Sequence, residues 1–174
     1  QLLLHYRLLR NGYSKELIDS IYDQKDIMSL TAWEGRWAKT VYKKFALENK
    51  TVFTRDFSGN DIINQKLNVL NNALYSITTA IILACGLHPS IGFIHGFTRR
   101  GGLAFDLADI IKNETTLPIA FNPKIIASKH AMYQLADKLR ENNENYIKIL
   151  IKICLYIADK DTDKLREFCV SHHH

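Results

Sequence analysis

Breakers are scarce. Three prolines and eight glycines in 174 residues leave little punctuation for short strands and tight turns, and the apolar residues recur mostly at spacings of three and four. Cysteine is scarce too: Cys85, Cys154 and Cys169 are odd in number, far apart, and each within or beside an apolar segment. That suits reduced thiols in a cytoplasmic core better than a disulfide framework. Long hydrophobic runs are missing. The most apolar window, Ala73 to Cys85, is about thirteen residues long and broken by Ser76, Thr78 and Thr79, whereas a spanning helix needs roughly twenty, so neither a membrane span nor a signal peptide is expected. No internal repeat or low-complexity segment is found. Several site motifs are missing as well: there is no G-x-x-x-x-G-K-[ST] loop, no H-E-x-x-H, and no histidine directly before an aspartate. "GFTRRGG" has glycines, but neither the preceding strand nor the spacing that a dinucleotide requires.

What remains is an ordinary globular composition, 47% apolar and 24% charged, enough to bury a core within one domain and incompatible with disorder. Lys and Arg outnumber Asp and Glu by 23 to 18, for a formal charge of +5 and a pI near 9.1, a balance that favours an anionic partner without identifying it.

The periodicity predicts an all-α bundle. The opening "LLLHYRLLR" reads as the inside of a helix, so an upstream part is expected to be missing. Ser14 caps a short helix with Leu17, Ile18, Ile21 and Tyr22 on its apolar side. Longer helices follow from about Asp26 to Glu48 and from about Asn60 to Cys85, with Asp61 and Gly86 as start and stop signals. Residues 87–102 form the longest non-helical stretch, then a short helix covers Leu103 to Lys112. After a loop around Pro118, Asn122 and Pro123 suggest a cap and first position for a helix reaching Glu141. Two more, about Glu144 to Asp159 and Thr162 to Val170, complete residues 1–171, and His172 to His174 are set aside as a purification-tag remnant.

Three places carry chemistry. Glu34 is followed at plus four, plus seven and plus eleven by Ala38, Val41 and Phe45, so its carboxylate shares the inward face of its own helix and needs a partner there. The plain alternative is that Thr31 and Glu34, as T-x-x-E, form a capping box. His95 lies between Gly92 and Gly96, where backbone can approach closely and leave an imidazole exposed. Asp106 and Asp109, three apart on one helix face, repel each other unless a cation compensates them. Either Arg99 and Arg100 form a structural ion network with them or a divalent ion does. One imidazole with two or three carboxylates and no thiolate suits Mg²⁺ or Mn²⁺ better than structural zinc. Such an ion, with arginines holding flanking phosphates, would serve phosphodiester cleavage or transesterification.

The wording of these segments is informative in sequence order. "E-G-x-x-A-x-x-x-Y-x-x-F" at Glu34 to Phe45, then "LNNALY", "GLHPSIGFIHG" and "GGLAFDLADII" resemble the C-terminal helical domain of Cas-one (Cas1), the CRISPR-associated integrase. "HG-x-TRRG-x-L-x-FD-x-AD" followed by "LPIAF" is most similar to its type I-F branch. The matching motifs run from about residue 30 to 121. The family's N-terminal β-rich domain, which builds the dimer, has no counterpart in this sequence.

The resemblance implies a divalent site of Glu34, His95 and Asp109, with Asp106 supporting it from behind or through a second metal. It implies a metal-dependent endonuclease and integrase of prokaryotic antiviral defence, cytoplasmic. A prespacer 3′-hydroxyl would attack a phosphodiester at the leader end of a CRISPR array, in a complex of Cas1 dimers with Cas-two (Cas2) or a Cas2/3 fusion. Phe97 stands where a basic or small polar residue is expected, which shifts phosphate clamping to Arg99 and Arg100. Arg36, Lys39 and Arg55, with Lys43 and Lys44, could extend a DNA-binding surface; the alternative for the lysines is a solvated helix face. Without the dimer-forming domain the chain is expected to be weakly active or inactive alone. Two other readings stay open: a non-catalytic helical module that binds DNA or protein, and a purely structural network in which Glu34, Asp106 and Asp109 pair with Arg99, Arg100 and Arg36.

Overall fold

The computed structural model describes residues 1–95, 101–141 and 143–171, with the backbone alone for 143–145. Among the described residues there is no strand, and the α-helices run in order α1 (Leu2–Arg10), α2 (Lys15–Asp19), α3 (Ile27–Glu48), α4 (Ile62–Ala84), α5 (Gly102–Ile111), α6 (Thr116–Phe121), α7 (Ser128–Glu141), α8 (Asn143–Ala158) and α9 (Thr162–Ser171). The all-helical expectation is met.

Local side chains set the helix starts. Ser14 Oγ accepts the Leu17 N–H at 3.4 Å. Asp26 accepts from Ser29 N at 2.7 Å while Ser29 Oγ accepts from Asp26 N at 3.3 Å, a reciprocal capping box. Asp61 and Asp161 accept from Asn64 N and Lys164 N, each at 3.0 Å. The Asp26 box corrects the capping alternative for Glu34. Thr31 lies inside α3, its hydroxyl donating to Ile27 O at 2.7 Å, so Glu34 is a mid-helix residue that caps nothing.

Two further expectations change. Residues around Pro118 form α6 rather than a loop: proline sits in the helix's first turn, where its missing N–H has no intrahelical acceptor to lose. Asn122 and Pro123 do not open α7. Asn122 Oδ1 accepts from Lys124 N at 2.9 Å, closing a turn, and the helix begins at Ser128. The buried ammonium of Lys66 fixes that turn, donating to the carbonyls of Asn122 at 3.0 Å and Ile125 at 2.8 Å. Burial pushes its pKa down, because no carboxylate shares its site.

The core is organised on α4. Leu67, Leu70, Leu74 and Ile82 are completely buried, and α4 packs against α5, α6, α7 and α8. By length and composition α4 is long and apolar enough to cross a membrane, a feature that the shorter window read from sequence misses; one side of it packs against four helices, while Ile62, Val69 and Leu83 stay exposed. α1 lies across α5 and α9, and α3 meets α6. Cys154 and Cys169 are buried, Cys85 is partly so, and all three are free. Burial raises the thiols of Cys154 and Cys169 to about 12.

Candidate active site

The site is built around α5 and the segment before it. Gly101 opens α5 with φ +89°, a left-handed conformation that glycine adopts without strain. Gly92 passes so close to Gly102 that a Cβ added to it would stand 2.5 Å from the Gly102 carbonyl carbon. That approach lays residues 93–95 over the buried Asp106. Asp106 Oδ2 accepts the N–H of Phe93 at 2.5 Å and of Ile94 at 3.1 Å, and Oδ1 accepts that of His95 at 3.4 Å. The His95 Nδ1 completes the set at 2.6 Å from Asp106 Oδ1. With no exposure of its own side chain, Asp106 orients the imidazole from behind, and Nε2 remains for the cleft.

In front lies a cavity of about 470 Å³ lined by Glu34, His95 and Asp109, together with Arg7, Lys112 and Arg55. α3, the 85–95 segment and α5 each contribute one of the first three. The carboxylates are partnered. Arg7 Nη1 is 3.3 Å from Glu34 Oε1 and 3.8 Å from Asp109 Oδ2; its Nη2 donates to Asn113 Oδ1 at 3.2 Å, and its guanidinium lies 4.4 Å from the Trp37 ring centre. Lys112 Nζ bonds to Asp109 Oδ1 and donates to the Tyr75 hydroxyl at 2.7 Å. Arg7 Nε and Asn113 Nδ2 are buried without a partner, a cost that a packing-optimised core avoids.

The electrostatics separate the two carboxylates. Burial and the nearby Asp109 charge push Glu34 up, against the pull of Arg7, His95 and Lys112. Burial would also raise Asp109, but Lys112 and then Arg7 outweigh it and hold it below the ordinary aspartate value. For His95, burial favours the neutral ring; the Asp106 hydrogen bond and the charges of Asp109, Asp106 and Glu34 prevail and raise its pKa. Lys112 is likewise raised, by Asp109 and Tyr75 over desolvation.

Of the remaining residues singled out from sequence, Lys39 is exposed and lines the cleft, while Arg36 is exposed but not part of its wall. Arg55 lines the cleft, held by Asn64 Oδ1 at 2.8 Å and Asn68 Oδ1 at 2.6 Å and stacked 4.1 Å from the Phe57 ring centre. Arg99 and Arg100, with Phe97 and residues 172–174, lie outside the described residues. The expectation that arginines from that segment or Arg36 neutralise the aspartates misses Arg7 and Lys112, which are on the carboxylates here. Lys112 had a visible signal, D-x-x-K at plus three. Arg7 had a weaker one, a cation among the leucines of α1.

Two carboxylates and one imidazole, with no thiolate, are a donor set suited to a hard or borderline divalent ion, and an Asp-supported histidine fits a metal ligand. Among the described residues, no three Asp, Glu, His or Cys side chains converge closely enough to hold an ion as they stand. Glu34 and Asp109 are each engaged by a cation instead.

Fold and cleft together define a helical domain with a carboxylate-and-imidazole cleft beside basic side chains. Comparison with known proteins supplies the family. A family model described as CRISPR associated protein Cas1 matches residues 10–144, and the chain belongs to that family. Curated relatives named CRISPR-associated endonuclease Cas1 include one from Clostridium sp. strain SY8519, 31% identical in a 128-residue alignment that covers 67% of this chain and 41% of the relative. Another, from Escherichia coli K12, is 28% identical over 124 residues, 68% of this chain and 40% of the relative. The chain thus spans about 40% of the length of these relatives. Among solved structures, TtCas1 in complex with DNA superposes with a TM-score of 0.63 at 18% identity, covering 90% of this chain and 59% of that one. That likeness is one of fold.

Proposed function

We propose that this chain is the helical catalytic part of a Cas1 integrase and endonuclease, acting on DNA with Mg²⁺ or Mn²⁺ at Glu34, His95 and Asp109. The observation that carries the reading is the meeting of these three side chains, from three separate segments, on one cleft whose histidine is oriented by a buried aspartate. When bound, the ion supplies polarisation of a scissile phosphate and of the attacking hydroxyl. The chain's own residues do the rest. Asp106 fixes the imidazole tautomer, and Arg55 and Lys39 offer positive charge to flanking phosphates. Arg55 is pre-ordered by neutral amides, so its charge is not spent on a carboxylate.

The reaction proposed is strand transfer of a prespacer 3′-hydroxyl onto a phosphodiester at the leader end of a CRISPR repeat. The new ester forms as the old P–O bond breaks, and the released strand leaves with a 3′-hydroxyl. DNA, Cas2 or a Cas2/3 fusion, and a second Cas1 copy are the partners of the whole protein, in the prokaryotic cytoplasm. The experiment is strand transfer on branched and leader-repeat DNA, by the full-length protein with Cas2 and Mn²⁺ or Mg²⁺. Product that disappears in Asp109→Asn is expected.

A second reading is favoured by the ion pairs: with Glu34 on Arg7 and Asp109 on Lys112, the domain could bind DNA or protein without chemistry. DNA binding that persists with no strand transfer at any metal concentration would establish it and defeat the first.

A further inference from the structure

Lys112 caps the C-terminal end of α5, one turn past Asp109. Its side chain is 12% exposed. Its ammonium bonds to Asp109 Oδ1 and to the Tyr75 hydroxyl, and it lies 4.6 Å from the Tyr75 ring centre. Arg7 holds the corresponding place on Glu34. The four charges of Glu34, Asp109, Arg7 and Lys112 cancel, so each of the two carboxylates has a counter-cation as the cleft stands.

The two cations are not equally fixed. Arg7 is anchored by a third group, Asn113, and stacked on Trp37; its planar fork loses little by being held. Lys112 has a flexible stem, and its second partner is a neutral hydroxyl. A divalent ion taking Asp109 must displace one of the two, and Lys112 is the one that can swing without breaking a buried network. Entry of the ion also adds two positive charges to a cleft already lined by Arg55 and Lys39, an excess that an anion must then offset.

We propose that Lys112 is the exchangeable counter-cation of this site. In the metal-free protein its ammonium holds the place on Asp109 that a divalent ion takes. On loading, it moves off Asp109 while keeping the Tyr75 hydroxyl, and a substrate phosphate becomes its anionic partner. Lys112 is thus a positioning residue that couples metal entry to phosphate arrival. The inference rests on the metal-binding reading of Glu34, His95 and Asp109.

The test is Mn²⁺ binding, without DNA, to the wild-type chain and its variants, by titration calorimetry and by the metal-dependent shift in melting temperature. Lys112→Met removes the competitor and keeps the apolar stem; it is expected to bind Mn²⁺ about tenfold more tightly or better, the scale of one charge within contact distance at a buried carboxylate. Lys112→Arg keeps the charge and is expected to return to the wild-type affinity. Circular dichroism checks the fold, and Lys112→Gln, which can still donate to Asp109, takes the place of the methionine variant if that does not fold. Wild-type binding with no tightening in the neutral variants overturns the proposal and leaves the metal site intact. No Mn²⁺ binding by wild type or any variant overturns the metal reading, and the proposal with it.

Discussion

Asp106 and Asp109 stand one turn apart on α5, yet each is held by a different kind of partner. Asp106 is buried among fixed donors, three backbone N–H groups and the His95 ring. Asp109 sits at the cleft wall among cations, Lys112 and Arg7. Backbone donors cannot move away without unfolding the segment that carries them, whereas lysine and arginine side chains can. One aspartate is therefore built into the scaffold, whereas the partners of the other are side chains at a cleft wall, the arrangement on which the proposed division of roles rests.

The largest effect should come from removing the scaffold member. Asp106→Ala leaves three backbone donors and an imidazole without their acceptor, and should cost about 3 kcal/mol or more, a fall in melting temperature of roughly 10 °C for a chain of this size. Asp109→Ala should cost less, about 2 kcal/mol, because Lys112 keeps the Tyr75 hydroxyl and Arg7 keeps Glu34 and Asn113. Equal melting temperatures for the two variants would break the comparison.

Gly92→Ala attacks the same scaffold from the other side. Its Cβ meets backbone rather than a yielding side chain, so a loss of about 1–3 kcal/mol is expected. It should be accompanied by a change in the His95 imidazole resonances in NMR spectra. An unchanged histidine signal would detach Gly92 from the positioning of His95.

Glu34 and Asp109 should differ in sign when pH is varied in metal-free protein. The folded-state pKa of Glu34 is raised, so its contribution is fully present below about 4.3 and is lost as pH rises through the folded value. That of Asp109 is lowered; its contribution is present above about 3.9 and is lost as pH falls through the folded value. Glu34→Gln should therefore melt no lower than wild type at pH 7, and Asp109→Asn should melt lower. Thermal melts from pH 3 to 8 measure both, and a Glu34→Gln variant clearly less stable at neutral pH would remove the distinction.

The smallest effect concerns Arg55, a cleft cation that serves neither carboxylate. Arg55→Ala should lower DNA affinity in a salt-dependent way, reducing the slope of log K against log salt by about one. A slope equal to wild type would mean that Arg55 only braces its loop against α4.

Much of this was readable from local pattern. The inward face of Glu34 follows from periodicity along α3, and the helix starts at Asp26, Asp61 and Ser14 follow from side chains able to accept from the first turn. Pro118 misled because a proline breaks a helix interior and is tolerated in a first turn, and sequence alone did not say which position it held. Asn122 misled because its side chain can close a turn as readily as a helix cap. The ranking of Asp106 and Asp109 could not come from a spacing of three, which puts both on one face. It depends on residues 93–95 crossing over α5. Arg7 was hidden for a similar reason: its acid lies 27 residues away, and nothing local to "LLLHYRLLR" points to α3.

The position of α1 has a consequence of its own. Arg7 reaches Glu34, and three residues on Arg10 grips Glu114 with contacts of 2.8 and 2.6 Å. A helix advances about 1.5 Å and turns about 100° per residue. A slide of α1 by one residue would therefore unseat both guanidiniums together and leave the cleft one charge more negative. The two ion pairs therefore tie the register of α1 to the charge of the cleft wall, since one helix carries both guanidiniums.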